Sequence, residues 1–147
     1  VRAILGPYRR GELVVPDYQR GRVWTPRQQA EFTGFLLEGG PVPAIFIRDV
    51  DTDDGFRDEL VDGQQRILAL IAWEDEKIPA ILPSQNRCIW KRDMEWPGWR
   101  MNICLPVGRF RGTRAEAMSL YLAINTKGTP HTQAELDRVR GMLEKER

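Results

Sequence analysis

Histidine is almost missing from this chain: His131 stands alone among 147 residues. A nuclease centre that needs histidines both as general base and as metal ligand is therefore not encoded here. Cysteine is scarce too. Cys88 and Cys104 are the only two, and one pair without a framework of spacings reads as two buried thiols rather than a disulfide or a metal clip. No apolar run approaches the roughly 20 residues of a membrane span, and the first residues lack the basic-then-apolar layout of a signal peptide. The expected location is the cytoplasm. Net charge is nearly absent as well, 22 Lys and Arg against 21 Asp and Glu giving +1. Any contact with a polyanion must then come from local patches.

What is present suits a soluble globular domain. A content of 41% hydrophobic and 29% charged residues allows one continuous core, and the length suits one domain over residues 1–147. Charge is uneven along the chain. Arg2, Arg9, Arg10, Arg20, Arg22 and Arg27 crowd the first stretch, whereas Asp49, Asp51, Asp53, Asp54, Asp58 and Glu59 form an acidic run broken by Arg57. Without the regular oxygen ligands and closing Glu of an EF-hand, that run reads as a solvated hairpin loop.

The elements follow from local chemistry. Leu13-Val14-Val15 before Pro16 reads as a short strand. Thr25, Pro26 and Gln28 form a capping-box start for a helix that Gly39-Gly40 stops, with Phe32, Phe35 and Leu36 on a face expected to pack on a sheet. Ala44 to Ile47 and Leu60-Val61 read as strands flanking the acidic loop. Gln64 to Trp73 carries Ile67, Leu68, Leu70 and Ile71 at helical spacing. Ile78 to Leu82 and Ile103 to Val107 are further strand candidates. The stretch between them, with Trp90, Trp96, Pro97 and Trp99, reads as aromatics buried on the core or as a flap. Two more capping boxes, Thr113 with Glu116 and Thr132 with Glu135, open helices near 114 to 124 and 133 to 145. The expected fold is α+β, a small mixed sheet with helices against it.

Chemistry concentrates where the Leu60-Val61 strand meets the next helix, at Asp62-Gly63-Gln64-Gln65-Arg66. A strand-to-helix turn leaves the first helical N–H groups unpaired at the positive end of the dipole, where phosphate binds well. Gly63 lets the backbone approach an anion, and Arg66 can offer a planar guanidinium for bidentate contact. Gln64 and Gln65 can hold phosphate oxygens or a water. Asp62 can cap the helix, accept a ribose hydroxyl or ligate magnesium. An ordinary capped helix start explains Asp62-Gly63 equally well.

That turn, together with Val15-Pro16-Asp17-Tyr18-Gln19-Arg20, Val23-Trp24 and Tyr121-Leu122-Ala123-Ile124-Asn125-Thr126-Lys127-Gly128, resembles one branch of the ParB/sulfiredoxin-like superfamily. The branch supplies the nucleotide-hydrolysing N-terminal domain of GmrSD-type modification-dependent restriction enzymes and related anti-phage proteins. The resemblance implies a nucleotide-phosphate role for Asp62, Gly63, Gln64, Gln65 and Arg66. Gln19 and Arg20 can reach the same pocket, Arg20 as a second phosphate or transition-state cation, or they can form a plain surface turn. Asn125 and Lys127 can face the nucleotide, or belong to a helix C-cap closed by Gly128. Sulfiredoxin-type reduction needs a cysteine where Gln64 and Gln65 stand. ParB proteins carry a helix-turn-helix module for which this chain has no room.

Three functions remain in view. The first is a magnesium-dependent nucleoside triphosphatase linked to DNA restriction, modification or phage conflict, with phosphotransfer to another acceptor as a variant and a separate nuclease or effector as partner. The second is a non-catalytic DNA-binding or switch module that grips a backbone phosphate with the same turn. The third is an interaction protein that keeps the fold without the chemistry, against which the intact turn argues.

Overall fold

The computed structural model describes residues 2–52, 55–94, 104–125 and 132–146. Four strands form a mixed sheet in the order β1 (Leu13–Val14), β3 (Gly55–Asp62), β2 (Ile45–Thr52), β6 (Val107–Arg111). The central hairpin β2–β3 is antiparallel, while β1 joins β3 and β6 joins β2 in parallel. A separate antiparallel ribbon pairs β4 (Ala80–Leu82) with β5 (Arg87–Ile89). The helices are α1 (Arg2–Arg10), α2 (Pro26–Leu37), α3 (Gln64–Glu74), α4 (Arg114–Asn125) and α5 (Gln133–Glu146). This is the expected α+β architecture. Among the described residues no helix is long and apolar enough to cross a membrane.

Strand alternation gives the sheet two apolar faces, because successive side chains point to opposite sides. Leu13, Ile45, Ile47 and Leu60 join Ile4 and Leu5 of α1, Leu36 of α2 and Ile67, Leu70 and Trp73 of α3 in one core. Val61 turns the other way and meets Tyr18, Ala117, Met118, Tyr121 and Val139, with Phe46 and Phe110 packed against them. Helices α1 to α3 therefore cover one face, and α4 with α5 the other.

The capping-box helices form as expected. Thr25 and Gln28 cap α2 reciprocally, with Pro26 at its first turn. Thr113 with Glu116 and Thr132 with Glu135 do the same for α4 and α5. Other expectations need correction. The acidic run is not a solvated loop: Asp49 and Asp58 lie opposite each other in the hairpin, and Arg109 of β6 reaches both at 2.6 and 2.7 Å. One position along, the largely buried Arg48 donates to Glu59 from Nε and Nη2 at 3.0 and 2.8 Å and to the Gly112 carbonyl at 2.9 Å. Cross-strand cations thus replace water as the partner of these carboxylates. Asp53 and Asp54 lie outside the described residues, as do Trp96, Pro97 and Trp99.

The last sheet strand starts at Val107, after Cys104 to Pro106, which form no strand, Pro106 having no N–H to give a ladder; Ile103 lies outside the described residues. The Pro106 carbonyl instead accepts from Ile45 N–H at 2.8 Å. Helix α1 has no counterpart among the expected elements. Pro7 sits inside it, and burial of Ile4 and Leu5 outweighs the lost hydrogen bond. Half of the arginine crowd is paired with carboxylates: Arg9 with Asp75, Arg10 with Glu12 and Arg27 with Glu31. Both cysteines are free and exposed rather than buried. Cys88 lies on a ribbon strand paired on one side only, and Cys104 lies in the coil leading to Pro106.

Two predictions follow from this packing. A Cβ at Gly34 of α2 would lie 1.7 Å from the Ile81 carbonyl oxygen of β4, so Gly34→Ala should cost about 3 kcal/mol of stability by overpacking. Urea unfolding measures it, and a loss below about 1 kcal/mol would mean that α2 does not touch β4 this closely. The second concerns Tyr18 and Tyr121, at 0% and 4% exposure, whose pKa values are both raised, chiefly by desolvation. Above about pH 10 the unfolded chain releases these protons more readily than the folded chain, so stability falls as pH rises, by up to about 1.4 kcal/mol per pH unit for Tyr18, with Tyr121 adding in the same direction. Unfolding midpoints that stay level between about pH 9 and about pH 11 would refute it.

Candidate functional site

Strand β3 delivers its last residue, Asp62, to the rim of the sheet, and the chain must then reverse into α3. Gly63 makes that reversal with φ 108° and ψ 8°, a left-handed conformation that costs L side chains dearly. A Cβ there would also lie 2.7 Å from Cγ1 of Ile45. Glycine at the N-cap has a second consequence: no side chain caps α3. Its first N–H groups, the positive end of the helix dipole, are left for another acceptor.

The turn residues line one cavity of about 330 Å³ together with Gln19, Arg20 and Asn125. Segments far apart in sequence, which the motif reading brought together only by resemblance, therefore meet in space. Lys127 lies outside the described residues, as does His131. Arg66 is 8% exposed and reaches back across its own turn. Its Nη1 donates to the Pro43 carbonyl at 2.7 Å and its Nη2 to Asp62 Oδ2. A guanidinium has five N–H donors, so these contacts fix its plane without exhausting it.

The two glutamines are not equivalent. Gln65 Oε1 accepts from the backbone N–H groups of Val23 and Trp24 at 3.0 and 3.2 Å, and its Nε2 donates to the Gly21 carbonyl at 2.9 Å. Its amide acts as a short piece of strand that holds the 21–24 segment. Gln64 Oε1, by contrast, is buried with no hydrogen-bond partner among the described residues. An acceptor left so is costly unless a ligand or a water supplies the donor.

Three more residues close the polar end. Gln19 donates its Nε2 to the Leu60 carbonyl, which pins it to β3. Asn125 folds back on α4 and donates to the Tyr121 carbonyl at 2.8 Å. Arg20 faces Tyr121: its guanidinium and backbone N–H pull the Tyr121 hydroxyl back toward its ordinary range, against the larger upward push of desolvation.

The opposite wall is apolar, and sequence reasoning missed it. Trp24 and Phe32 pack with ring centroids 5.3 Å apart and planes at 56°, and Phe35, Val42, Pro43 and Ile124 continue the surface. Phe35 was expected to pack on the sheet with Leu36. Leu36 does reach the core, whereas Phe35 is 40% exposed and lines the cavity. Nothing in the local sequence distinguishes the two environments. A concave site with a charged floor and an aromatic wall suits a ligand that is anionic at one end and flat and apolar at the other.

Asp62 is the single carboxylate among the lining residues, and among the described residues no group of three or more His, Cys, Asp or Glu could hold a metal ion. A cage for a resident ion is therefore not formed by these residues. Magnesium that arrives with phosphates keeps most of its waters and takes only one or two carboxylates, and Asp62 fits that lesser requirement.

Residues 1–103 match the family model described as GmrSD restriction endonuclease, N-terminal domain. No curated protein and no solved structure matches the chain.

The Gln65 contacts yield a prediction. Amide hydrogen exchange at Val23 and Trp24 should speed up about fivefold in Gln65→Ala, since one hydrogen bond contributes about 1 kcal/mol. Gln65→Glu keeps the acceptor for both amides but sets a carboxylate oxygen against the Gly21 carbonyl, so its protection should fall between the other two. Equal exchange in all three proteins would show that the Gln65 amide does not hold this segment.

Proposed function

Because the chain belongs to the GmrSD restriction endonuclease N-terminal domain family, we propose that its cavity binds a nucleoside triphosphate and hydrolyses it in the service of DNA restriction or phage conflict. One observation carries the reading: an uncapped helix N-terminus, Arg66 and Arg20 share one cavity with the Trp24–Phe32 wall. The base and sugar lie along the aromatic wall, and the polyphosphate lies on the first N–H groups of α3.

Phosphoryl transfer asks mainly for positioning and for charge held where it develops. Arg66, its plane fixed by Pro43 and Asp62, faces the phosphates from the floor, and Arg20 supplies a second cation. Gln64 Oε1, without a partner among the described residues, accepts a hydrogen bond from the attacking water and so orients it. Gln65 acts one step back, through the segment that carries Trp24. Asn125 and Gln19 complete the polar rim. Magnesium, when bound with the nucleotide, neutralises phosphate charge, and Asp62 would hold it. Transfer to an acceptor other than water uses the same groups. A separate nuclease or effector then reads the nucleotide state.

The test is phosphate release from each of the four nucleoside triphosphates with magnesium, with and without DNA. Arg66→Ala would strand Asp62 and the Pro43 carbonyl, so Arg20→Ala and Arg66→Lys are the cleaner variants. Arg20→Ala should lower kcat/KM by about a hundredfold, the effect of removing one charge-stabilising donor, with an unchanged unfolding midpoint. Salt-sensitive DNA binding that Arg20→Ala weakens, with no turnover of any nucleotide, would replace the hydrolase with a DNA-phosphate module.

A further inference from the structure

The stretch 15–25, which carries Gln19, Arg20 and Trp24 into the cavity, contains no helix or strand. Its backbone must find partners elsewhere. Three consecutive carbonyls find the same one. Arg138 of α5 donates from Nη1 to the Asp17 oxygen at 3.0 Å, and from Nη2 to the Tyr18 and Gln19 oxygens at 3.0 and 3.4 Å. The hold falls on the peptide units immediately before Arg20. Other contacts flank this hold: the Gln19 N–H donates to the Pro16 carbonyl at 3.1 Å, the Gln65 amide binds the main chain of Gly21, Val23 and Trp24, Arg114 pairs with the Asp17 carboxylate, and the Tyr18 ring packs edge-on to Tyr121 at 5.6 Å.

We propose that Arg138 is a positioning residue for the cavity, setting Gln19 and Arg20 through the main chain; this rests on the nucleotide reading above. Helix α5 lies beyond the residues 1–103 that match the family model, and Arg138 does not line the cavity. Its planar fork explains why arginine serves here: two terminal nitrogens span carbonyls that a single ammonium cannot all reach. The α4–α5 pair is thereby coupled to the phosphate end of the site, and a shift of α5 along the sheet would move Arg20.

The test compares the intact chain with Arg138→Ala, Arg138→Lys, Arg20→Ala and the Arg20→Ala/Arg138→Ala double variant. Two readouts are used: nucleotide turnover and affinity, and the rate of trypsin cleavage after Arg20 and Arg22 without nucleotide. Arg138→Ala should lower kcat/KM about tenfold, within the coupling range of contacting residues, and should lose under about twofold when Arg20 is already alanine. Trypsin should cut Arg138→Ala about tenfold faster, from freer opening of the segment, and Arg138→Lys should recover part of both effects. A role in general stability alone would lower both backgrounds equally, and that additive result overturns the proposal, as does an unchanged trypsin rate. If the intact chain binds no nucleotide, the nucleotide reading and the positioning role fail together. Faster trypsin cleavage would then mark Arg138 as a structural clamp only. Should Arg138→Ala not fold, Arg138→Lys carries the same double-variant comparison.

Discussion

The site depends on one buried cation. Arg66 ties the end of β3, through Asp62, to the Pro43 carbonyl that precedes β2, and does so from the first turn of α3. A guanidinium at 8% exposure is tolerated only where a counter-charge and directed acceptors replace its water. The carboxylate supplies the first and the carbonyl the second. Remove the cation and Asp62 becomes an uncompensated charge at the rim of the sheet, so the turn loses its shape before it loses any ligand contact. Motif positions that look like ligand contacts can therefore be structural first, as Arg66 is.

Gly63 and Gln65 extend the same logic outward. The left-handed glycine frees the α3 N-terminus from side-chain capping, and the Gln65 amide carries the order of α3 across to the 21–24 segment. Through Trp24, that segment becomes part of the aromatic wall. One five-residue turn thus organises both the charged and the apolar half of the cavity. Of the five turn residues, Gln64 is the one whose buried side-chain oxygen lacks a partner among the described residues.

The parts legible in the sequence were those whose physics is local. A capping box needs residues three apart, so α2, α4 and α5 could be placed from Thr25, Thr113 and Thr132. The glycine turn into α3 is likewise written in consecutive residues. Partners distant in the chain hid the rest. Asp49 and Asp58 look like loop residues until Arg109, on a strand much later in sequence, is set beside them. Pro7 looks like a breaker until Ile4 and Leu5 are seen buried. Phe35 looks like core because nothing local tells a core-facing aromatic from a cavity-facing one. Arg138 carries no motif at all, since its acceptors are backbone carbonyls.

The cavity is assembled from residues 19–24, 32–43, 62–66 and 121–125, and no one of these stretches contains it. A fragment keeping the turn without α4 would keep the motif and lose the pocket. The thermodynamic consequence is that whatever binds here binds only the folded chain. Occupancy at a hundred times the dissociation constant then adds about 2.7 kcal/mol to the stability of the whole molecule. The ligand is in that sense a late member of the core, and a melting curve taken in its presence will detect it with no knowledge of the reaction it undergoes.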